Sequence, residues 1–339
     1  MGFYIDMIDV GQGDAFLLTL DNPSSNEAHI LIDGGSEEKA DALVKHLKSY
    51  TPGTIDLVIA THLDNDHIGG LIKAAQNFVI RQFVINAPPG LWDRWKQFKN
   101  VMQRHNMFNV TNKRVQSLIK SLETADKLMS VLAAKQIVPT VALAGRGWNC
   151  ADVTLNVLNP TPERLAAAWN EQKFQKMSEA YSPLATSLGS TLQESEAPST
   201  TEENDSSIVI ELVYKGSPYA LLTGDAGAAV LKEVSAGKSY TYLKVPHHGS
   251  KTGLDDELVA QLKPSSAYIP VGSNDYGHPA IEILDMLREN GTRTFCSQKT
   301  PNCRKACKSD GFGTVCHRND KDARPGWSSI NIGDCGNNA

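Results

Sequence analysis

The chain has 339 residues, with 33 Lys and Arg against 38 Asp and Glu for a formal charge of −5, and is 41% hydrophobic and 21% charged. That composition is globular rather than disordered, and the length suits one large domain or two smaller ones at the usual ~100–200 residues per domain. The acidic balance excludes a global basic field drawing the chain onto nucleic acid. Apolar runs such as Leu57 to Ala60 and Tyr219 to Leu222 fall far short of the roughly 20 residues a membrane-spanning helix needs. No membrane association is therefore expected. With no secretory signal visible, a cytoplasmic location is the default expectation.

In chain order, β-branched runs predict strands at Phe3 to Ile8, Ala15 to Leu20, His29 to Ile32, Ile55 to Ala60 and Val79 to Ile85. Between them Ala40, Leu43, Val44 and Leu47 recur at helical spacing behind Ser36, which reads as a capped amphipathic helix lying on a sheet. Residues 91–136 read as a helical insertion, with Trp92, Trp95 and Phe98 on a stripe better suited to a core than to a substrate. Residues 179–205 turn to Ser, Thr, Glu, Pro and Gly and read as a mobile insertion. Strands return at Ile208 to Val213, Tyr219 to Leu222, Tyr240 to Val245 and Ala267 to Val271, so two strand-helix halves flank the insertions.

Potential ligands are densest in Thr61-His62-Leu63-Asp64-Asn65-Asp66-His67-Ile68-Gly69-Gly70, directly after a strand. Imidazoles mixed with carboxylates suit zinc, manganese or iron(II). The plainer alternative is a solvated loop in which Asp66 caps the next helix. Four other strand ends carry similar residues. Asp33 is followed by two glycines and is placed to accept a ligand histidine's second N–H. Thr223-Gly224-Asp225, Lys244-Val245-Pro246-His247-His248-Gly249-Ser250 and Asn274-Asp275-Tyr276-Gly277-His278-Pro279 complete the set. They meet only if their strands share an edge.

In their order, and with the opening Asp9-Val10-Gly11-Gln12-Gly13-Asp14-Ala15, these motifs resemble the metallo-β-lactamase fold, and within it the soluble hydrolase domain of the ComEC competence proteins. The resemblance covers most of the chain, so residues 1–339 are expected to form one α/β domain, an αββα sandwich of two mixed sheets with outer helices. It implies that Asp225 bridges two divalent ions, zinc or manganese. His62 and Asp64 would hold one, and Asp66, His67 and one of His247 and His248 the other. It departs in having no histidine between His105 and His247, where many members of the fold carry a further ligand; Asn204, Asp205 and Ser207 are the candidates to substitute. One ion, or two, would turn water into hydroxide at neutral pH and clamp the oxygens of the transition state. Asp66, His248, His278 and Lys244 are the candidate catalytic residues: His278 or the non-ligand histidine protonates the leaving atom, and Lys244 suits an anionic phosphate.

The second cluster is Cys296, Cys303, Cys307, Cys316, His317 and Cys335, in a Cys-rich segment spanning 296–335, where three residues separate Cys303 from Cys307 and eight separate Cys307 from Cys316. It resembles a zinc knuckle holding a structural zinc, with free or partly paired thiols and a redox switch as alternatives. It also breaks up two expected strands, Arg293 to Cys296 and Ser328 to Ile332. Its Lys299, Arg304, Lys305 and Lys308, together with Lys244 and Lys251, are expected to give the site a basic approach. The resulting expectation is a phosphodiesterase or nuclease using metal-activated hydroxide on DNA, with nucleic acid as substrate. A small-molecule phosphodiesterase of the phosphorylcholine or cyclic-nucleotide type and a non-catalytic binding subunit with a degenerate site are the alternatives.

Overall fold

A computed structural model describes residues 2–21, 27–104, 113–180, 200–306 and 311–318. The first half contains β1 (Phe3–Met7), β2 (Phe16–Leu20), β3 (Ala28–Ile32), α1 (Ala40–Tyr50), β4 (Thr54–Ala60), α2 (Asn65–Asn77), β5 (Val79–Ile85), α3 (Leu91–Arg104) and α4 (Lys113–Ala134). Next come β6 (Gly147–Cys150), β7 (Val153–Asn159), α5 (Pro162–Ala168), α6 (Glu171–Ala180), α7 (Glu202–Asp205), β8 (Val209–Tyr214), β9 (Ser217–Leu222), α8 (Ala228–Val234) and β10 (Tyr242–Lys244). The last are α9 (Asp256–Leu262), β11 (Ser266–Ile269), α10 (Ile281–Glu289), β12 (Arg293–Cys296), α11 (Pro301–Ala306), β13 (Gly311–Phe312) and β14 (Val315–Arg318).

Among the described residues the strands form two mixed sheets, ordered β14-β1-β2-β3-β4-β5 and β13-β12-β11-β10-β9-β8-β7-β6. The period-two alternation of the strands explains the layering. Phe16, Leu18 and Leu20 of β2 and Ile30 and Ile32 of β3 face the other sheet, joining Leu155, Ile210, Leu222, Tyr242 and Tyr268 in the central core. Their neighbours Leu17 and Leu31 point outward into a second core under α1 to α4. A third core lies outside the other sheet, where Leu221, Leu243 and Ala267 meet Leu231 of α8, Leu258 of α9 and Leu284 of α10. Each fully buried leucine contributes about 1.5–3 kcal/mol, so the three layers of contact hold the αββα arrangement without a special staple.

Parallel pairing of β3, β4 and β5, and of β9, β10, β11 and β12, puts their carboxyl ends on one side of each sheet. The stripe Ala40, Leu43, Val44 and Leu47 is buried on its sheet as expected. Its start differs: a single 3-10 turn at Glu37–Lys39 intervenes, and Ser36 makes no side-chain cap, so α1 begins at Ala40. Trp95 and Phe98 are core residues, stacked on each other and met edge-on by Phe174 from α6. The sequence reading passed over β6 and β7. Residues 181–199 and 328–332, which carry most of the expected mobile insertion and the last expected strand, lie outside the described residues. Among the described residues no helix is long and apolar enough to cross a membrane.

Candidate metal centre

Five of the motifs leave the carboxyl ends of parallel strands, where open α/β sheets place their ligands. Asp33 follows β3, His62 to His67 follow β4, Asp225 follows β9, His247 and His248 follow β10, and the His278 loop follows β11. The two sheets bring them together. Asp14, His67, Asp225 and His248, all buried, each offer a ligand atom within 4.8 Å of the others.

Local backbone geometry holds the pieces in place. Asp33, His247 and His248 have φ of 55°, 49° and 53°, a left-handed conformation that non-glycine residues adopt at a cost. The turn before β2 presses onto the start of α2: the Asp14 N–H donates to Asp66 O at 3.2 Å, and a Cβ on Gly13 would lie 2.1 Å from that oxygen. Only glycine allows that approach. Asp64 occupies the cap position of α2 but makes no cap bond. Its Oδ1 accepts from Ser121 on α4 at 3.2 Å, and its Oδ2 lies 3.7 Å from His62 Nε2.

Hydrogen bonds at the far side of each ring assign the tautomers. Thr61 Oγ1 donates to Asp33 Oδ2 at 2.6 Å, so it must accept from His62 Nδ1 at 3.1 Å. His67 Nδ1 donates to the same Asp33 oxygen at 2.9 Å, and His248 Nδ1 donates to Pro270 O at 2.8 Å. In the neutral rings the lone pairs therefore sit on Nε2. The Nε2 atoms of His62, His67 and His248 are buried without a hydrogen-bond partner. They lie 3.9, 3.4 and 3.6 Å from one atom, Asp225 Oδ2. With the rings neutral, lone pairs and a carboxylate oxygen converge in a buried space with no donor among them, and a divalent cation would supply what is missing. The donors fit such an ion.

The electrostatics agree. Burial alone would lower His67 and His248, but Asp225 together with Asp14 and neighbouring carboxylates lifts His67 well above its usual value and His248 to about 10. Against the cost of burial, the charges of His67, His248 and Lys244 hold Asp225 well below the usual carboxylate range. The same pocket that draws protons onto imidazoles would draw a metal ion in their place.

Of the expected ligands, His62, Asp64, Asp66, His67, Asp225 and His248 are brought together; His248 Nε2 lies 3.3 Å from Asp66 Oδ2. His247 is half-buried at the rim, with Nε2 3.9 Å from Asp225 Oδ2 and Nδ1 3.4 Å from Asn204 Nδ2. His248 is thus the better placed of the pair. Asp205 is committed elsewhere, accepting from Thr200 Oγ1 and the Gly227 N–H, while Ser207 Oγ accepts from the Asp225 N–H. His278 stacks edge-on to His247 at 5.5 Å, and burial together with His247 and His248 lowers it to about 4. It is therefore neutral in the resting protein rather than poised near neutrality. Asp14 was missed as a candidate ligand, because its placement depends on the Gly13 approach.

Lys244 is corrected. Expected near the phosphate, it is instead 1% exposed, bound to Asp14 Oδ2 at 2.5 Å, Asp225 Oδ1 at 3.3 Å and Gly224 O. It supports the cluster from beneath, because two buried carboxylates need a compensating charge more than a solvated lysine needs water. Nor does Lys251 give a free basic rim: it pairs with Glu282 at 2.5 Å. The cysteine-rich set is also redrawn. Cys296 and Cys303 have sulfurs 3.2 Å apart. His317, in contrast, is turned into the central core, where Tyr268 and Tyr219 occupy its Nδ1 and Nε2 at 2.9 and 2.8 Å. Cys307 and Cys335 lie outside the described residues.

Residues 8–117 match the family described as the Metallo-beta-lactamase superfamily. The chain is 26% identical over 311 residues to ComE operon protein 3 of Bacillus subtilis, covering 86% of this chain and 31% of that protein. It is 23% identical over 290 residues to Recombination protein 2 of Haemophilus influenzae, covering 84% and 26%. The chain thus spans about a third or less of the length of these curated relatives. Among solved structures, it is similar to the metallo-beta-lactamase fold protein YhfI from Bacillus subtilis (12% identity, TM-score 0.40, covering 94% and 100% of the two chains). It is also similar to Igni18, a metallo hydrolase from Ignicoccus hospitalis (13% identity, TM-score 0.40, covering 93% and 98%). Residues 8–117 thus carry a metallo-β-lactamase superfamily domain, and the chain is similar to ComEC-like proteins over most of its own length.

Proposed function

We propose that the protein is a metal-dependent phosphodiesterase, and specifically a nuclease acting on DNA. The observation that carries the metal chemistry is the convergence of three buried, partnerless Nε2 atoms on Asp225 Oδ2. His62 and Asp64 would hold one divalent ion, Asp66, His67 and His248 the other, with Asp225 shared between them. Bound zinc or manganese would lower the pKa of water and neutralise phosphoryl oxygens.

The chain's own residues do the rest. Asp33 and Thr61 fix the rings of His62 and His67 in the ligating tautomer. Lys244 engages Asp225 Oδ1 and leaves Oδ2 facing the histidines. His278, whose Nδ1 is buried without a partner, lies at the mouth of the cluster beside His247. A phosphodiester anion docking there raises the pKa of that ring, which then holds a proton for the leaving oxygen. DNA is favoured as substrate by the resemblance to ComEC-type hydrolase domains and by a relative named for recombination, a process on DNA.

The test is hydrolysis of linear and circular DNA, RNA and a small phosphodiester by protein loaded with manganese or zinc. Cleavage of DNA, lost in Asp225→Ala, is expected. Turnover of the small phosphodiester with every polymer left intact would reject the nuclease.

A further inference from the structure

Beyond the metal cluster lies an aromatic ring that the hydrolysis does not use. Tyr276 is 79% exposed, and the other strongly exposed large hydrophobics among the described residues are the valines 79, 101 and 138. An exposed aromatic ring forgoes a large gain from burial, so its position is informative. It lies 5.7 Å from the ring of His278 at a tilt of 31°, and His278 in turn lies 5.5 Å from the ring of His247, whose Nε2 is 3.9 Å from Asp225. The rings form a short path from the cluster to solvent.

The loop presenting Tyr276 is fixed. Asn274 Oδ1 accepts from the N–H groups of Tyr276 and His278 at 3.1 and 3.0 Å, while its Nδ2 donates to Gly272 O and His278 O. From α11, Asn302 Nδ2 donates to Gly277 O at 2.9 Å and Pro279 O at 3.1 Å. Gly277, at φ 76°, completes the turn. A mobile loop would lose entropy on gripping a ligand; this one has already lost it.

We infer that Tyr276 is a stacking platform for a nucleobase adjoining the scissile phosphate, an inference that rests on the nuclease reading and adds a binding subsite to it. A nucleotide carries its planar base one sugar away from its phosphate. A chain whose phosphate enters the cluster at His247 and His278 passes its neighbouring base over the Tyr276 ring. Stacking on an aromatic face tolerates any base, so the subsite grips single-stranded nucleic acid without reading its sequence. It also offers polymer affinity that does not need a basic rim.

The experiment compares an oligonucleotide with an abasic oligomer of the same length and charge, on wild type, Tyr276→Ala and Tyr276→Phe. Binding is measured by fluorescence anisotropy with calcium, and cleavage with manganese. Tyr276→Ala is expected to raise Kd and KM for the base-containing oligomer about 5- to 100-fold, the range for losing one stacked base, with kcat within about twofold. The abasic oligomer should not distinguish the variants, and Tyr276→Phe should match wild type. Equal losses on both oligomers, no loss on either, or a Tyr276→Phe defect as large as that of Tyr276→Ala would overturn the platform. Tyr276-dependent binding with no wild-type cleavage would overturn the nuclease and leave the platform standing. Cleavage indifferent to Tyr276 would do the reverse.

Discussion

His67, in the first turn of α2, and His317, in β14, both turn their rings into the protein, yet their nitrogens meet different surroundings. His317 has each ring nitrogen on a tyrosine hydroxyl, at 2.8 and 2.9 Å, and fills the space between the sheets. His67 has one nitrogen on Asp33 and the other, partnerless, 3.4 Å from Asp225. What separates the proposed ligand His67 from the core histidine His317 is the nitrogen left without a partner, not neighbouring cysteines. His62 and His248 repeat the pattern of His67.

The comparison is broken most severely at Asp225. Asp225→Ala and His67→Ala should each lower hydrolysis by more than about a hundredfold, beyond the roughly 10–100-fold typical of losing an outer partner, while His317→Gln leaves kcat unchanged. Steady-state kinetics on a common substrate checks this. Lys244→Met should destabilise the protein by about 3–5 kcal/mol in urea titrations without added metal, because it leaves Asp14 and Asp225 buried without their cation. Added manganese should recover part of that loss.

Asp33→Ala should weaken metal binding by about 10–100-fold, measured by calorimetry, since it releases His67 and, through Thr61, His62. The smallest effect concerns His317. Burial and nearby Arg293 lower its pKa to about 4, below the roughly 6.5 of an unfolded histidine. Between those values the unfolded chain binds the extra proton, so the stability His317 contributes is complete above pH 6.5 and fades as pH falls toward 4. His317→Gln should cost about 1–2 kcal/mol at pH 7, through two tyrosine hydrogen bonds, and the gap should narrow by pH 4.5 in thermal melts.

Much of this was legible in the residues. Strand Val79 to Ile85 is found as read, and the two-sheet fold follows from motifs that recur at strand ends. The failures have physical causes. β6 is four residues long, GWNC, and too short to show a period. Asp14 lies on a turn whose contact with Asp66 is set by a glycine rather than by ligand spacing. Lys244 resembles a solvated strand lysine until Asp14 and Asp225 close on it from separate elements. Cys316 and His317 are adjacent in sequence, but neighbours in a strand project to opposite faces, so they cannot converge on one ion.

The most direct test is anomalous diffraction from crystals soaked in manganese or zinc. The account predicts a peak bounded by His67 Nε2, His248 Nε2 and Asp225 Oδ2, absent in Asp225→Ala. Full occupancy at that position in Asp225→Ala, or wild-type crystals with metal only beside Cys296 and Cys303, would contradict it.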